Sequence, residues 1–143
     1  MSRMLLFASV ILCVGCFADV KLPKGYSEEI QEGCFEDIPW PMEFDYVPED
    51  SYTYVAPGDG GRTRSARLVF EGLETIEEVV TFFKKNLPAN DFVVRKEPLV
   101  SKATDRVKLF YRKLTALEYL DVCVERVGDR VRITMDLGVL REH

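Results

Sequence analysis

The chain reads as an α+β domain: an antiparallel sheet of about five to six strands with one main helix packed on one face. Two periodicities and the spacing between them predict this. Segments 52–56, 66–70, 91–96, 106–112, 119–126 and 131–137 alternate apolar and polar residues with the two-residue period of a half-buried strand. One stretch switches to helical spacing, with Ile76, Val79, Val80, Phe83 and Leu87 on a single apolar stripe. The last four strands follow one another through short links, which favours antiparallel pairing, and the single helix must then cover one face.

The elements follow in order. Residues 19–47 form a polar, weakly patterned arm. In it Ser27-Glu28-Glu29-Ile30-Gln31-Glu32 can make a helical turn that Gly33 stops. Ile38-Pro39-Trp40-Pro41 is held extended, because each proline pushes the residue before it out of the helical region. Phe44 and Tyr46 alternate after it. The domain occupies residues 48–143, and its first two strands flank the glycine-rich hairpin loop Pro57-Gly58-Asp59-Gly60-Gly61. Gly72 ends the second strand. Thr75-Ile76-Glu77-Glu78 is then a capping box, in which Thr75 and Glu78 exchange bonds with each other's amides. Lys84 and Lys85 complement the helix dipole, and Pro88 stops the helix. Gly128-Asp129 joins the last two strands as a tight turn.

Alternation divides the strand residues between two faces. Ala66, Leu68, Phe70, Phe92, Val94, Val107, Leu109, Tyr111, Leu120, Val122, Val124, Val131, Ile133, Met135 and Leu137 form the core beneath the helix. On the opposite face five strands repeat one pattern, an uncharged residue with charges two positions away on both sides. Those residues are Val69, Val93, Phe110, Cys123 and Thr134. If the registers align, they make a largely apolar band bordered by charge. Three readings are open: the N-terminal arm covers this band, burying Trp40, Phe44 or Tyr46; the band meets a partner or an apolar ligand; or it is ordinary, partly exposed surface.

Residues 1–18 carry Arg3 followed by an uncharged apolar run that ends at Asp19. As a helix the run rises only about 22 Å, too little for a hydrocarbon core, so it reads as an export signal. Two exits are available, beside a leader that stays uncleaved as an anchor. Cys13-Val14-Gly15-Cys16 resembles a lipobox, which would make Cys16 the lipidated residue and tie the protein to a membrane. Cys16-Phe17-Ala18 fits an ordinary signal-peptidase site, which would release the protein. Either exit leaves Cys34 and Cys123 as the thiols of the folded part. In an oxidising compartment they can pair, and closing that loop would contribute about 4–5 kcal/mol.

The 143-residue chain has a net charge of −5, from 19 basic and 24 acidic residues, and no block of five like charges. That average argues against nucleic acid and against electrostatic attraction to anionic lipid. The only histidine is the terminal His143, which argues against a serine or cysteine triad and excludes a multi-histidine zinc site. Gly58-Asp59-Gly60-Gly61 lacks the Lys-Ser/Thr ending of a phosphate loop. Trp40, Tyr46, Tyr52 and Tyr54 could form a sugar platform but fit packing better. No catalytic residue, metal ligand or cofactor is expected.

The leader, Ile38-Pro39-Trp40-Pro41, the strand ending at Gly72 and the Val79-Val80-Thr81-Phe82-Phe83 helix resemble a broad group of small exported bacterial proteins, many of them lipoproteins. The likeness spans residues 38–138. It implies a location in the bacterial envelope, in the periplasm or outer envelope, and no catalytic residues. Two functions are then expected to compete: a non-enzymatic, lipid-anchored module that binds another envelope protein, and a binder or sensor of a small amphipathic ligand.

Overall fold

Alternating segments become strands and the capped apolar stripe becomes a helix in the computed structural model, which describes residues 35–58 and 61–140. The strands are β1 Asp45–Tyr46, β2 Tyr52–Gly58, β3 Gly61–Gly72, β4 Phe92–Ser101, β5 Arg106–Lys113, β6 Glu118–Val127 and β7 Arg130–Val139; the helix α1 is Ile76–Asn86. All seven strands join one antiparallel sheet in the order β1-β3-β7-β6-β5-β4, with β2 also on β3. The expected five to six strands become seven because two residues of the arm, Asp45 and Tyr46, pair with Glu71 and Phe70.

β1 and β2 run along the same edge of β3, separated by a 3₁₀ turn at Pro48–Asp50. Ser51 fixes this crossing. Its hydroxyl donates to the Val47 carbonyl at 2.7 Å and accepts from the Val69 amide at 2.9 Å, while the Val47 amide donates to the Val69 carbonyl at 2.9 Å. β3 starts at Gly61 rather than at Ala66, because Gly58 pairs with Gly61 and the ladder continues almost to the hairpin tip. At the other hairpin, Gly128 takes a left-handed φ of 64°, a conformation that glycine adopts without steric cost.

The capping box at α1 forms as expected. Thr75 Oγ accepts from the Glu78 amide at 3.2 Å, and the Glu78 carboxylate accepts from the Thr75 amide at 2.8 Å. The Thr75 amide and hydroxyl, which both donate to it, hold the exposed Glu78 carboxyl below its ordinary range. After Asn86 the chain makes a second 3₁₀ turn, Asp91 takes a φ of 65°, and the Phe92 amide donates to the Leu87 carbonyl at 3.2 Å. This turn directs the chain into β4.

Ile76, Val79, Phe83 and Leu87 share one buried cluster with Leu68, Phe70, Phe92, Leu109, Leu120, Val122, Ile133 and Met135. Phe35, Ile38, Phe44 and Tyr46 of the arm belong to the same cluster. The arm's apolar residues thus complete the core, and do not cross the opposite face as one sequence reading expected. Phe44 lies over Gly72 so closely that a Cβ there would sit 2.7 Å from its ring. Val94, expected in the core, is exposed, and Val107 is half-buried, because β4 is the sheet's edge. No helix among the described residues is long and apolar enough to cross a membrane.

Candidate interaction site

The expected band does not assemble. Val69, Thr134 and Cys123 are direct neighbours across β3, β7 and β6, but the row continues into Lys108 on β5 and Leu99 on β4. Phe110 lies in the adjacent row with Arg67, Asp136, Asp121 and Lys96, and Val93 opposes Arg112. The pattern within each strand was legible, but the offset between strands is set by turn length and by two register shifts in β4. Two members of the band are also covered. Val69 is 2% exposed, beside the crossing from Val47 to Ser51, and Phe110 is 7% exposed, with Lys96 Nζ 3.9 Å from its ring centroid. Val93, Cys123 and Thr134 are half-buried.

What this face carries instead is paired charge. Glu71, Arg132, Glu125 and Arg106 alternate across one row, with bonds from Arg132 to Glu71 (2.6 Å) and Arg106 to Glu125 (2.5 Å). Arg67 holds Asp136 at 2.7 Å and Arg95 holds Asp121 at 2.8 Å. These pairs are partly solvated, so each contributes little to stability, but together they fix a polar surface.

Charge also separates toward the two edges of the sheet, although part of it is paired: Arg130 holds Asp45 at 3.0 Å, and Arg132 holds Asp50 at 3.0 Å as well as Glu71. Glu43, Asp45, Glu49 and Asp50 have no basic residue among them, nor do Glu71, Glu74, Glu77 and Glu78. β1 brings these two segments together, since Asp45 pairs with Glu71. The Glu74 carboxyl is pushed up by burial and by the nearby Glu78 and Glu43 charges. At the opposite edge, the β4–β5 hairpin (92–113) has seven basic residues against Glu97 and Asp105, a net +5 in a chain of net −5. Lys96, Lys102, Lys108 and Arg112 have no carboxylate partner among the described residues. A whole-chain average hid this polarity; counting charge element by element would have found it.

Two aromatic side chains stand out at the β1/β2 edge. Tyr52 and Tyr54 are 56% and 61% exposed and share a face, since they pair with Arg67 and Ser65 of β3. The far edge of β2 has no strand partner among the described residues. The four aromatics of the expected sugar platform are dispersed: Tyr46 is buried in the core and Trp40 packs against it.

The arm is fastened by a compact charged cluster. Arg64 of β3 makes two hydrogen bonds of 2.6 Å to Asp37 and two of 2.8 Å to Glu118 of β6, and Lys113 of β5 also bonds Asp37. Burial pushes the Asp37 carboxyl up, but the Arg64 and Lys113 hydrogen bonds and charges outweigh this and hold it below its ordinary range. Two cations balance two carboxylates, and Arg64 lies over the Phe35 ring at 5.6 Å. This constellation explains where the arm docks.

Among the described residues no group of three or more histidine, cysteine or acidic side chains is arranged to hold a metal ion. Cys123 forms no disulfide among them, and its thiol is pushed up by burial and Glu125, with Arg106 and Lys108 opposing. Cys16, Cys34 and His143 lie outside the described residues. No family model, curated protein or solved structure matches the chain.

Proposed function

We propose that this chain is an exported bacterial envelope protein, lipid-anchored through Cys16, that acts by holding another protein and not by catalysis. The leader supports export, and Gly15-Cys16 supports the anchor. The observation that carries the binding reading is the outer edge of β2, which no strand among the described residues pairs, with Tyr52 and Tyr54 exposed on one face. Tyrosine offers a large amphipathic contact at low entropic cost, which is why interfaces are enriched in it. An unpaired strand edge offers a ladder of backbone donors and acceptors to an extended segment. Around β1, Glu43, Glu49 and Glu74 have no cationic partner among the described residues and favour a partner segment that carries basic side chains. In this reading α1 covers one face of the sheet, and the edges are left for contact.

Two measurements test the proposal. Intact mass of the purified membrane-associated protein is expected to show an N-terminus at Cys16 with acyl chains, and Cys16→Ser to release the protein from membranes or block its processing. A mature N-terminus at Asp19 would contradict the anchor while preserving export. A Tyr52→Ala/Tyr54→Ala variant is expected to keep its thermal melting profile and lose at least about tenfold in partner affinity, as for two interface hot spots. Unchanged partner binding would contradict the β2 assignment.

A further inference from the structure

We propose that the opposite edge of the sheet, β4 with the β4–β5 turn, docks on an anionic lipid bilayer. The inference rests on the envelope reading only for where lipid is met; the chemistry of the surface is independent of β2 and its partner. Its first support is charge complementarity: Asp121, Glu125 and Asp37 pair Arg95, Arg106 and Lys113, but Lys96, Lys102 and Lys108 have no carboxylate partner among the described residues. Each such cation near an anionic surface strengthens association about fivefold.

Apolar side chains supply the second support. Val94, Leu99 and Val100 are all well exposed, Val100 at 66%. Register places Val94 and Val100 on the helix-bearing side, opposite Tyr111 and Val107, and Leu99 on the other, opposite Lys108. The edge therefore presents apolar groups from both faces with lysines interleaved, the composition of a surface that enters a headgroup layer. Beside it a cleft of about 470 Å³ runs between Pro88 at the end of α1 and Val94 and Pro98 of β4, over Leu109 and Tyr111, with Lys84 and Lys96 among its lining residues. Glu97 is the single acidic group there.

The backbone argues against a protein strand as the occupant. Pro98 has no amide to donate, and β4 shifts register between Val94 and Lys96 and again between Lys96 and Leu99. An added strand could not keep a continuous ladder along such an edge. A lipid surface needs no ladder.

The test measures flotation of the cell-processed protein with phosphatidylglycerol vesicles and with neutral phosphatidylcholine vesicles. The ratio between the two removes any contribution of the N-terminus that both surfaces share. A clear preference for the anionic vesicles is expected, weakening with added salt. Lys96→Gln/Lys102→Gln/Lys108→Gln is expected to lower the ratio about a hundredfold with the cooperative melting transition retained and at most a small drop in its midpoint, from loss of Lys96 over the Phe110 ring. Leu99→Ser/Val100→Ser is expected to weaken binding to both vesicle types. A ratio near one in the parent protein, or a ratio unmoved by the triple variant, would overturn the proposal. Binding of polyglutamate without vesicle preference would assign the edge to an acidic protein. Self-association lost in the triple variant, again without vesicle preference, would assign it to a second copy of the chain. Either result would overturn the lipid assignment without touching the β2 edge.

Discussion

Arg64 and Glu118 meet through two hydrogen bonds of 2.8 Å that join β3 to β6, strands separated in the sheet by β7. Glu118 is the one charged residue buried among those described, and the same guanidinium also holds Asp37 of the arm. Arg64→Met should destabilise the protein by about 3–5 kcal/mol, because it leaves the buried Glu118 without its cation and Asp37 with Lys113 alone. Replacing all four groups, Arg64, Lys113, Asp37 and Glu118, by apolar residues of similar size should recover part of that loss. Urea titration of the single and quadruple variants distinguishes the two; equal stability of Arg64→Met and the parent would contradict the cluster's role.

Acid sensitivity follows from the same place. The folded-state Asp37 carboxyl titrates below its unfolded value, so near pH 4 the unfolded chain binds more protons than the folded one. This group's contribution is present above the ordinary carboxylate range and is lost as pH falls through the lowered folded value. Asp37→Asn should therefore flatten the stability loss below about pH 4, as read by denaturant midpoints across pH. An unchanged slope would mean that other carboxylates dominate the acid response.

The helix offers a contrast between packing and capping. Phe83 is fully buried, so Phe83→Ala should cost about 3–5 kcal/mol through the cavity it leaves. Thr75→Ala removes only the cap at an exposed end and should cost about 0.5–2 kcal/mol. Equal, negligible losses in denaturant titration would contradict the placement of the apolar stripe.

Two glycines separate buried from movable neighbours. A Cβ at Gly72 meets the buried Phe44 ring at 2.7 Å, so Gly72→Ala should cost about 1–3 kcal/mol through displacement of the arm. A Cβ at Gly138 meets the outer end of the half-buried Tyr119 ring at 2.6 Å, and that ring can swing aside. Gly138→Ala should therefore cost less. The reverse order in thermal melting would contradict the arm's place in the core.

Much of the fold was legible because period and caps are local. The capping box at Thr75, the stripe through Phe83 and the alternation in β5 to β7 are each contained in a short segment of sequence. What was not legible depends on distant partners. Asp45 and Tyr46 became a strand only because β3 offered them an edge, and Phe44 entered the core because Gly72 left room for its ring. The supposed band failed for the same reason, since Lys108 opposes Cys123 through a register that no single strand encodes. Tyr52 and Tyr54 were visible as residues, but their exposure follows from β2 lying at an edge. The basic hairpin was visible too, once charge is read by element and not by chain.

The claim that the β2 edge holds an envelope protein is tested most directly by placing a photo-crosslinking residue at Tyr54 in otherwise intact cells. The account predicts one discrete adduct with an exported protein, lost when Tyr52→Ala is added and absent when the crosslinker stands at exposed Leu117 on the β5–β6 loop. No adduct from Tyr54, or the same adducts from Tyr54 and Leu117, would contradict it.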